Sequence, residues 1–363
     1  MPDPAHASPR VLAFGACTPL GFSAAASFAA MRAGLVAFTQ GPAFGSSGEP
    51  IKVSALPGGD SAPGQGARLE ALALGALADL DPRASLAQAR RVGLFLGLPD
   101  APDCPEEAAS DLLQTLSLAL ESAASVRLTT ARRHGRGRSA FFFALRDAMA
   151  ALDAGDCDAA VVGAVDSLCS PAGLERLDGE HRLLGAVSSD GVIPGEAAAF
   201  AVLVTAHRSD SIGPQPRLLC TAVERESNHF GQRQANTARA MSAALREIRS
   251  HRSVAQRRAD LLFTCETGER FWTDELSMAY FRNVALMPEP FVRTTAAEAF
   301  GDLGAASGAV QFAMGLHALA RPKLDGTLNK LLLLCGASDD GCLGACMVQR
   351  AALATDTVTE GWR

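Results

Sequence analysis

An α/β protein made of two duplicated halves is the architecture this sequence predicts, and three observations carry the prediction. Short apolar runs alternate with longer Ala/Leu-rich stretches, the rhythm of strands interleaved with helices. Each half offers about five strand candidates, with helical patterns in similar places. Both halves also end alike, because the runs 159–165 and 198–204 are echoed by 331–335 and 345–349. Residue identity between the halves is slight and an ordinary doubly wound sheet gives a similar count, so the duplication rests on element order.

In the first half the strand candidates are 10–16, 91–96, 126–130, 159–165 and 198–204. Helical patterns lie between them: 22–34 is Ala-rich with a glycine stop, 69–81 carries apolar residues at helical spacing, and 142–154 ends at Gly155 as a C-cap. Within the second of these, 71–80 reads as an amphipathic core helix. The segment 41–66 is rich in Gly, Pro and Ser and reads as an exposed loop. The second series has strand candidates at 218–223, 260–264, 291–294, 331–335 and 345–349, and helical patterns at 236–250, 274–284 and 305–320. The short gap before its last strand predicts a hairpin through Gly341. The polar stretch 208–217 reads as the junction, which divides the chain into halves at 1–208 and 209–363. The tail 355–363 reads as a frayed polar end.

Composition narrows the function classes. The chain of 363 residues has 33 Lys+Arg against 39 Asp+Glu, a net charge of −6, with 48% apolar and only 6% aromatic residues and a single Tyr. A negative balance without a long basic run argues against a dedicated nucleic-acid binder, and few aromatics leave little to stack on bases. No stretch of about 18 apolar residues is free of charge, so no membrane span is expected. The start, Met1-Pro2-Asp3-Pro4, lacks the basic opening of a signal peptide. Nine scattered cysteines, with no CxxC pair and no His near Cys342 and Cys346, read as small buried hydrophobes in a reducing cytoplasm. Neither a metal nor a cofactor is expected.

Several motifs, taken in order, resemble those of the β-ketoacyl synthases. The run Arg10-Val11-Leu12-Ala13-Phe14-Gly15-Ala16-Cys17-Thr18-Pro19-Leu20-Gly21 looks like that family's opening strand and turn. The stretch 156–166 resembles the strand that follows its nucleophile helix. Gly191-Val192-Ile193-Pro194-Gly195-Glu196-Ala197-Ala198-Ala199 is the strongest match, similar to a glycine–proline–glycine–glutamate turn. Thr264-Cys265-Glu266-Thr267-Gly268 and Gly301-Asp302-Leu303-Gly304-Ala305-Ala306-Ser307-Gly308 lie where the two catalytic His loops should be. The resemblance runs from about residue 10 to 350. It implies the thiolase fold, two βαβαβαββ halves in a five-layered αβαβα arrangement. It also implies a homodimer, or a pseudo-dimer with a ketosynthase-like protein, formed through the strand before the nucleophile helix.

In that family a Cys thiolate at a buried helix N-terminus attacks an acyl thioester, while two His and a Lys promote decarboxylation and stabilise the enolate. Carried over position by position, the nucleophile falls on Arg138 with Ser139 beside it, the first His on Cys265, the second His on Asp302 and the Lys on Ala297. None of the four is retained. A guanidinium stays protonated and cannot attack a thioester, and an ionised Asp302 would repel a developing oxyanion. The turn over the site is altered as well, to Ala337-Ser338-Asp339-Asp340-Gly341-Cys342. No Cys lies between 105 and 156 and no His between 252 and 316, so a small shift of alignment does not restore the set. Phe141-Phe142-Phe143, at the start of a buried helix, is expected to plug the space an acyl chain would need.

Other readings of these residues stand beside that one. Gly135-Arg136-Gly137-Arg138-Ser139-Ala140 matches half of a dinucleotide fingerprint, but the next acidic residue after a strand, Asp166, is 31 positions on, against about 20 in that motif. A glycine turn packing a helix start explains it, with Arg136 and Arg138 as candidates to hold an anion, a phosphopantetheine phosphate or a partner's acidic side chain. Ser139 reads as an N-cap, and nucleophilic use of it lacks a His base. Cys265 sits among Glu266, Glu269 and Arg270, and acidic neighbours raise a thiol's pKa. His134, in Arg132-Arg133-His134-Gly135-Arg136, reads as part of a solvated loop or a partner-facing patch, and His229 as a surface or satisfied residue. The expected function is therefore non-catalytic and based on binding. Short ketosynthase-like chains with a Val165-Asp166-Ser167 strand end and a Pro-Gly-Glu-Ala-Ala turn resemble members encoded near type VI secretion effectors, which implies an adaptor or chaperone. The alternatives are a chain-length-factor-like partner of an active ketosynthase that meets acyl carrier protein, or a divergent acyltransferase using Ser139 or Cys265.

Overall fold

A computed structural model describes residues 8–57, 64–100, 103–185, 188–206, 214–323 and 326–351. The first half runs β1 (Arg10–Cys17), α1 (Ala24–Arg32), β2 (Thr39–Phe44), β3 (Pro50–Val53), α2 (Gln65–Leu80), α3 (Pro82–Ser85), β4 (Arg91–Leu98), α4 (Glu106–Ala124), β5 (Arg127–Gly135), α5 (Ala140–Asp153), β6 (Ala159–Ser167), α6 (Pro171–Gly179) and β7 (Glu196–Val204). The second runs β8 (Arg217–Arg225), α7 (Arg239–Ser250), β9 (Leu261–Thr264), α8 (Arg270–Arg282), β10 (Arg293–Thr294), α9 (Ala297–Phe300), α10 (Ser307–Leu319), β11 (Leu331–Ala337) and β12 (Cys342–Gln349). Among the described residues no helix is long and apolar enough to cross a membrane.

Ten strands join in the order β10-β9-β11-β12-β8-β1-β7-β6-β4-β5. This order reads the same from either end when each strand is replaced by its place within its own half. In both halves the second strand lies parallel between the third and the fourth, the fourth pairs antiparallel with the fifth, and the fifth with the first. The halves meet where Arg10 of β1 pairs with Arg217 of β8. The duplication expected from element order is therefore present in the pairing. All ten sheet strands overlap the sequence candidates; those covered on both faces, such as β6 and β11, read as unbroken apolar runs, whereas the edge strands β5 and β10 do not. Every residue of β6, β7 and β11 is buried.

Three apolar clusters separate five layers. One lies outside the first half's sheet under α2 and α4, one lies outside the second half's sheet under α7 and α8, and the third fills the middle around α5 and α10. Phe141 of α5 and Phe312 of α10 meet at 5.3 Å between ring centroids in that middle layer. The packing there needs small partners. A Cβ on Gly344 of β12 would come within 2.3 Å of Phe142 Cβ.

Three local expectations are corrected, and one helix is added. The segment 41–66 is more than a loop: β2 and β3 pair, with Thr39 opposite Val53, and Ile51 and Val53 are buried against Leu174 of α6; residues 58–63 lie outside the described residues. Helix α4 was not anticipated, although Ala109, Leu112, Leu116 and Leu120 form its buried stripe. Arg132, Arg133 and His134 belong to the edge strand β5 and not to a solvated loop. Phe143 does not join its two neighbours in the interior; it is only half-buried, beside His134 and Arg146. Most of the expected junction and the frayed end at 355–363 lie outside the described residues.

Candidate functional site

The middle layer brings the heads of α5 and α10 together at the C-terminal ends of the parallel strands. Strand β5 leads through a 3-10 turn, Gly137–Ser139, into α5, so Arg138 stands in the turn just ahead of this buried helix. Opposite it, the loop that precedes α10 carries Asp302, and the β11–β12 hairpin tip carries Asp339. Arg138 Nη1 donates to Asp302 Oδ2 at 3.0 Å, Nη2 donates to Asp339 Oδ1, and Nε donates to the Ala337 carbonyl at 3.2 Å. Its guanidinium lies 4.4 Å from the Trp272 ring centroid. Both ends of the Arg138–Asp302 pair are buried, with side chains 6% and 2% exposed.

A second arginine closes the arrangement. Arg182 Nε and Nη2 form a bidentate pair with Glu269 at 2.6 and 2.9 Å, and Nη1 donates to Asp339 Oδ2 at 2.6 Å. Trp272 Nε1 donates to the same Glu269 at 2.9 Å. Asp339 thus bridges two arginines. Burial pushes its carboxyl up, but Arg138 and Arg182 outweigh that and hold it at about 2. Asp340 beside it faces Arg136 at 3.7 Å. The hairpin tip is tied to the head of α5 by its two acidic residues.

The glycine–alanine loop 301–308 packs closely around these charges. Gly304 has φ +51, and a Cβ there would fall 2.0 Å from Asp166 Oδ2. Asp166 Oδ2 accepts from Ala305 N at 2.7 Å, and Oδ1 accepts from Ser167 N at 2.7 Å. Burial pushes this carboxyl up to about 8, which keeps it protonated at neutral pH. Glu196, at the start of β7, accepts from Leu56 N, from Ser167 Oγ at 2.8 Å and from both Nε and Nη2 of Arg68. Between these groups lies a cleft of about 220 Å³, lined by Arg138, Asp166, Arg176, Arg182, Asp302 and Asp339 among others. Asp100, at its edge, is pushed up to about 6 by burial and by Asp340 and Asp339.

Of the five positions carried over from the ketosynthase pattern, Arg138 and Asp302 touch each other, and Ser139 and Cys265 lie beside them. Ala297 stands apart, half-buried at the start of the short helix α9. Ser139 occupies the N-cap position without capping. Its hydroxyl donates back to the Arg136 carbonyl at 3.0 Å, and its N–H donates to Ser338 Oγ at 2.7 Å. The Cys265 thiol is buried and pushed up to about 12, first by desolvation, with Asp302 and Glu266 adding and Arg138 opposing. Arg138 is not the free cation that an anion or phosphate would need, because two carboxylates occupy it. Arg136 is exposed. The half-fingerprint at 135–140 does join a strand to a helix, but its second arginine is spent on Asp302 and Asp339. Phe141 and Phe142 are buried in the middle layer. Arg182, Glu269 and Trp272 carried no motif. Glu269 entered only as an acidic neighbour of Cys265, and the scarcity of Trp in the chain, two in all, was the one signal for Trp272.

No family model matches this chain, and no curated protein matches it. Solved structures do. The oxazolomycin ketosynthase domain of Streptomyces albus JA3453 superposes with a TM-score of 0.76 at 15% identity, covering 96% of this chain and 75% of that one. A type II polyketide-synthase ketosynthase, described in complex with its acyl-carrier protein and bound to the hexaketide, gives 0.77 at 14% identity over 96% of this chain and 100% of that one. The ishigamide ketosynthase/chain length factor gives 0.70 at 19% identity over 95% and 100%. The chain has the fold of ketosynthases, the thiolase fold that the resemblance implied.

Proposed function

We propose that this chain is a non-catalytic ketosynthase-like protein that acts by binding another protein, as an accessory adaptor or chaperone in the cytoplasm. The observation that carries this reading is the buried pair Arg138–Asp302, locked by Asp339, in place of a thiol and an imidazole. No general base stands near Ser139, whose hydroxyl is engaged with a backbone carbonyl. A thiol at about 12 holds almost no thiolate at neutral pH, which speaks against Cys265 as a nucleophile. All nine cysteines are free, as suits a reducing compartment. The fold can be divided into units at 1–208 and 209–363, with the exposed edge of β5 as the surface for a homodimer or pseudo-dimer. A type VI secretion effector is the partner that the Val165-Asp166-Ser167 and Pro194–Gly195–Glu196 signatures suggest.

A second reading, a chain-length-factor-like subunit beside an active ketosynthase and its acyl carrier protein, is favoured by the likeness to the ishigamide ketosynthase/chain length factor. One measurement tests the common premise. Purified protein is incubated with acyl-coenzyme A and with acyl-carrier protein and read by intact mass; no adduct is expected. A stoichiometric adduct that disappears in Ser139→Ala or Cys265→Ala would overturn the non-catalytic reading in favour of a divergent acyltransferase. Affinity capture from the native cell then separates the partners: an effector supports the adaptor, an active ketosynthase supports the second reading.

A further inference from the structure

A smaller cavity lies between α8 and the ends of β9 and β11. It measures about 20 Å³, room for one water and little more, and Glu266, Trp272 and Glu275 help to line it. Glu266 follows β9, and Glu275 stands on α8 one turn after Trp272. Both glutamates are buried, at 7% and 4% exposed. Glu266 Oε2 accepts from Thr264 Oγ1 at 2.7 Å and from Arg293 Nε at 2.8 Å, but Glu266 Oε1 has no hydrogen-bond partner among the described residues. Buried acceptors are almost always satisfied, so this orphan points to a donor that fits beside it.

Glu275 can supply that donor's proton. Its Oε1 accepts from Asn236 Nδ2 at 2.7 Å, and among the described residues no Lys or Arg pairs with it. The charged and titratable groups that face it are Glu226 after β8, Cys265 and Glu266 after β9, Cys335 of β11 and Arg138 ahead of α5. Arg138 is committed to Asp302 and Asp339, and burial pushes both thiols up, so neither carries charge at neutral pH. Burial also pushes the Glu275 carboxyl up to about 7, with Glu226 adding and Asn236 and Arg138 opposing. A neutral acid has an O–H to give, and the glutamate whose oxygen lacks a donor lines the same cavity. Among the described residues no three His, Cys, Asp or Glu converge as a metal site would need.

We propose that Glu275 and Glu266 share one proton through a single water in this cavity, a clasp that holds α8 to the end of β9. Glu275 donates its O–H to the water, and the water donates one hydrogen to Glu266 Oε1. When the proton leaves for solvent, two carboxylates face one cavity with Arg293 as the one cation bonded to them, and their repulsion loosens the helix. Trp272 then slackens its hold on the cleft, because the same helix places its ring 4.4 Å from the Arg138 guanidinium and its Nε1 on Glu269. This regulation goes beyond the binding role above and does not depend on it.

Trp272 reports the clasp once the chain's other tryptophan is removed by Trp362→Phe. Its fluorescence, followed from pH 5 to pH 9, should show one transition near pH 7. Glu275→Gln, which copies the neutral acid, should hold the low-pH signal throughout. Glu266→Gln removes the shared acceptor and the repelling charge, so it should move the midpoint down by about one pH unit. Melting should agree: Glu275, near 4.5 unfolded and about 7 folded, contributes stability that is lost as pH rises through that window, so Glu275→Gln should gain on its parent from pH 5 to pH 8.

The absence of any transition in the Trp362→Phe protein would overturn the proposal whatever the variants do. So would a transition that survives Glu275→Gln, which would belong to another group such as His229, bonded to the Phe230 that stacks on Trp272. A midpoint that Glu266→Gln leaves in place has the same force. A midpoint that moves when ammonium chloride replaces sodium chloride at equal ionic strength also overturns it, since the occupant would then be a cation. The acyl-adduct measurement reads neither glutamate, so failure of the clasp and failure of the non-catalytic reading are told apart.

Discussion

Replacing Arg138 by Met tests whether the buried ion pair holds the cleft together. Met keeps most of the apolar stem and removes only the guanidinium. The loss leaves Asp302 Oδ2 facing no cation, with Oδ1 still accepting from Gly304 N at 2.9 Å, while Asp339 keeps Arg182. Removing one partner from a buried, hydrogen-bonded pair costs about 3–5 kcal/mol. Unfolding entropy of about 2.1 cal/mol/K per residue, over the whole chain, converts that into a drop of about 4–7 °C in Tm. The assay is thermal and denaturant unfolding of four proteins: wild type, Arg138→Met, Asp302→Asn and the double variant. Because Arg138→Met strands the Asp302 carboxylate, which the double variant lacks, while Asp302→Asn leaves Arg138 on Asp339, the cycle should show a coupling of about 2 kcal/mol or more. Additive losses, or a loss below about 1 kcal/mol for Arg138→Met, would mean that the pair does not organise the site.

Two further outcomes follow from the same neighbourhood. Gly304→Ala combines a left-handed backbone with a Cβ 2.0 Å from Asp166 Oδ2 and should cost about 3 kcal/mol, whereas Gly231→Ala, at φ +76 with nothing within 4 Å, should cost only about 1; equal losses in denaturant titrations would refute the role given to the contact. Asp166, held protonated up to about pH 8 in the folded chain but ionising near 4 once unfolded, makes the unfolded state gain charge first, so its contribution to stability falls as pH rises from about 4 to 8. Melting curves of Asp166→Asn should therefore gain on wild type across pH 5–8, and parallel curves would show that Asp166 is ionised throughout.

The sequence carried the sheet further than the site. Strands such as β6 and β11 were legible because they are apolar from end to end, a pattern that burial on both faces imposes, whereas the polar edge strand β5 was legible only in its first residues. Helix α4 carries the stripe Ala109, Leu112, Leu116 and Leu120 at helical spacing and was legible in principle, whereas the β2–β3 hairpin escaped because Gly, Pro and Ser there resemble loop composition as much as turns. In the site, positional carry-over found Arg138 and Asp302, 164 residues apart, but no local pattern ties Arg182 to Glu269 or to Asp339. Contacts of that kind depend on three loops meeting, and a one-dimensional pattern holds no trace of it.

The pairing also changes what the replaced residues mean. Taken one at a time, an arginine at the head of a buried helix is unfavourable, since the helix N-terminus already carries partial positive charge, and an aspartate in a glycine–alanine loop is an unpaired buried anion. Taken together they cancel, and Asp339 with Arg182 and Glu269 extends the cancellation to the hairpin tip and to Trp272. Their formal charges sum to −1, and every one of these five side chains has an opposite charge within 3.0 Å. A centre that must bind and release an acyl group needs groups left unpaired until substrate arrives, because only interactions gained in the transition state accelerate a reaction. Here the charged groups are already spent on one another, and none of these five is left unpaired for an incoming acyl group.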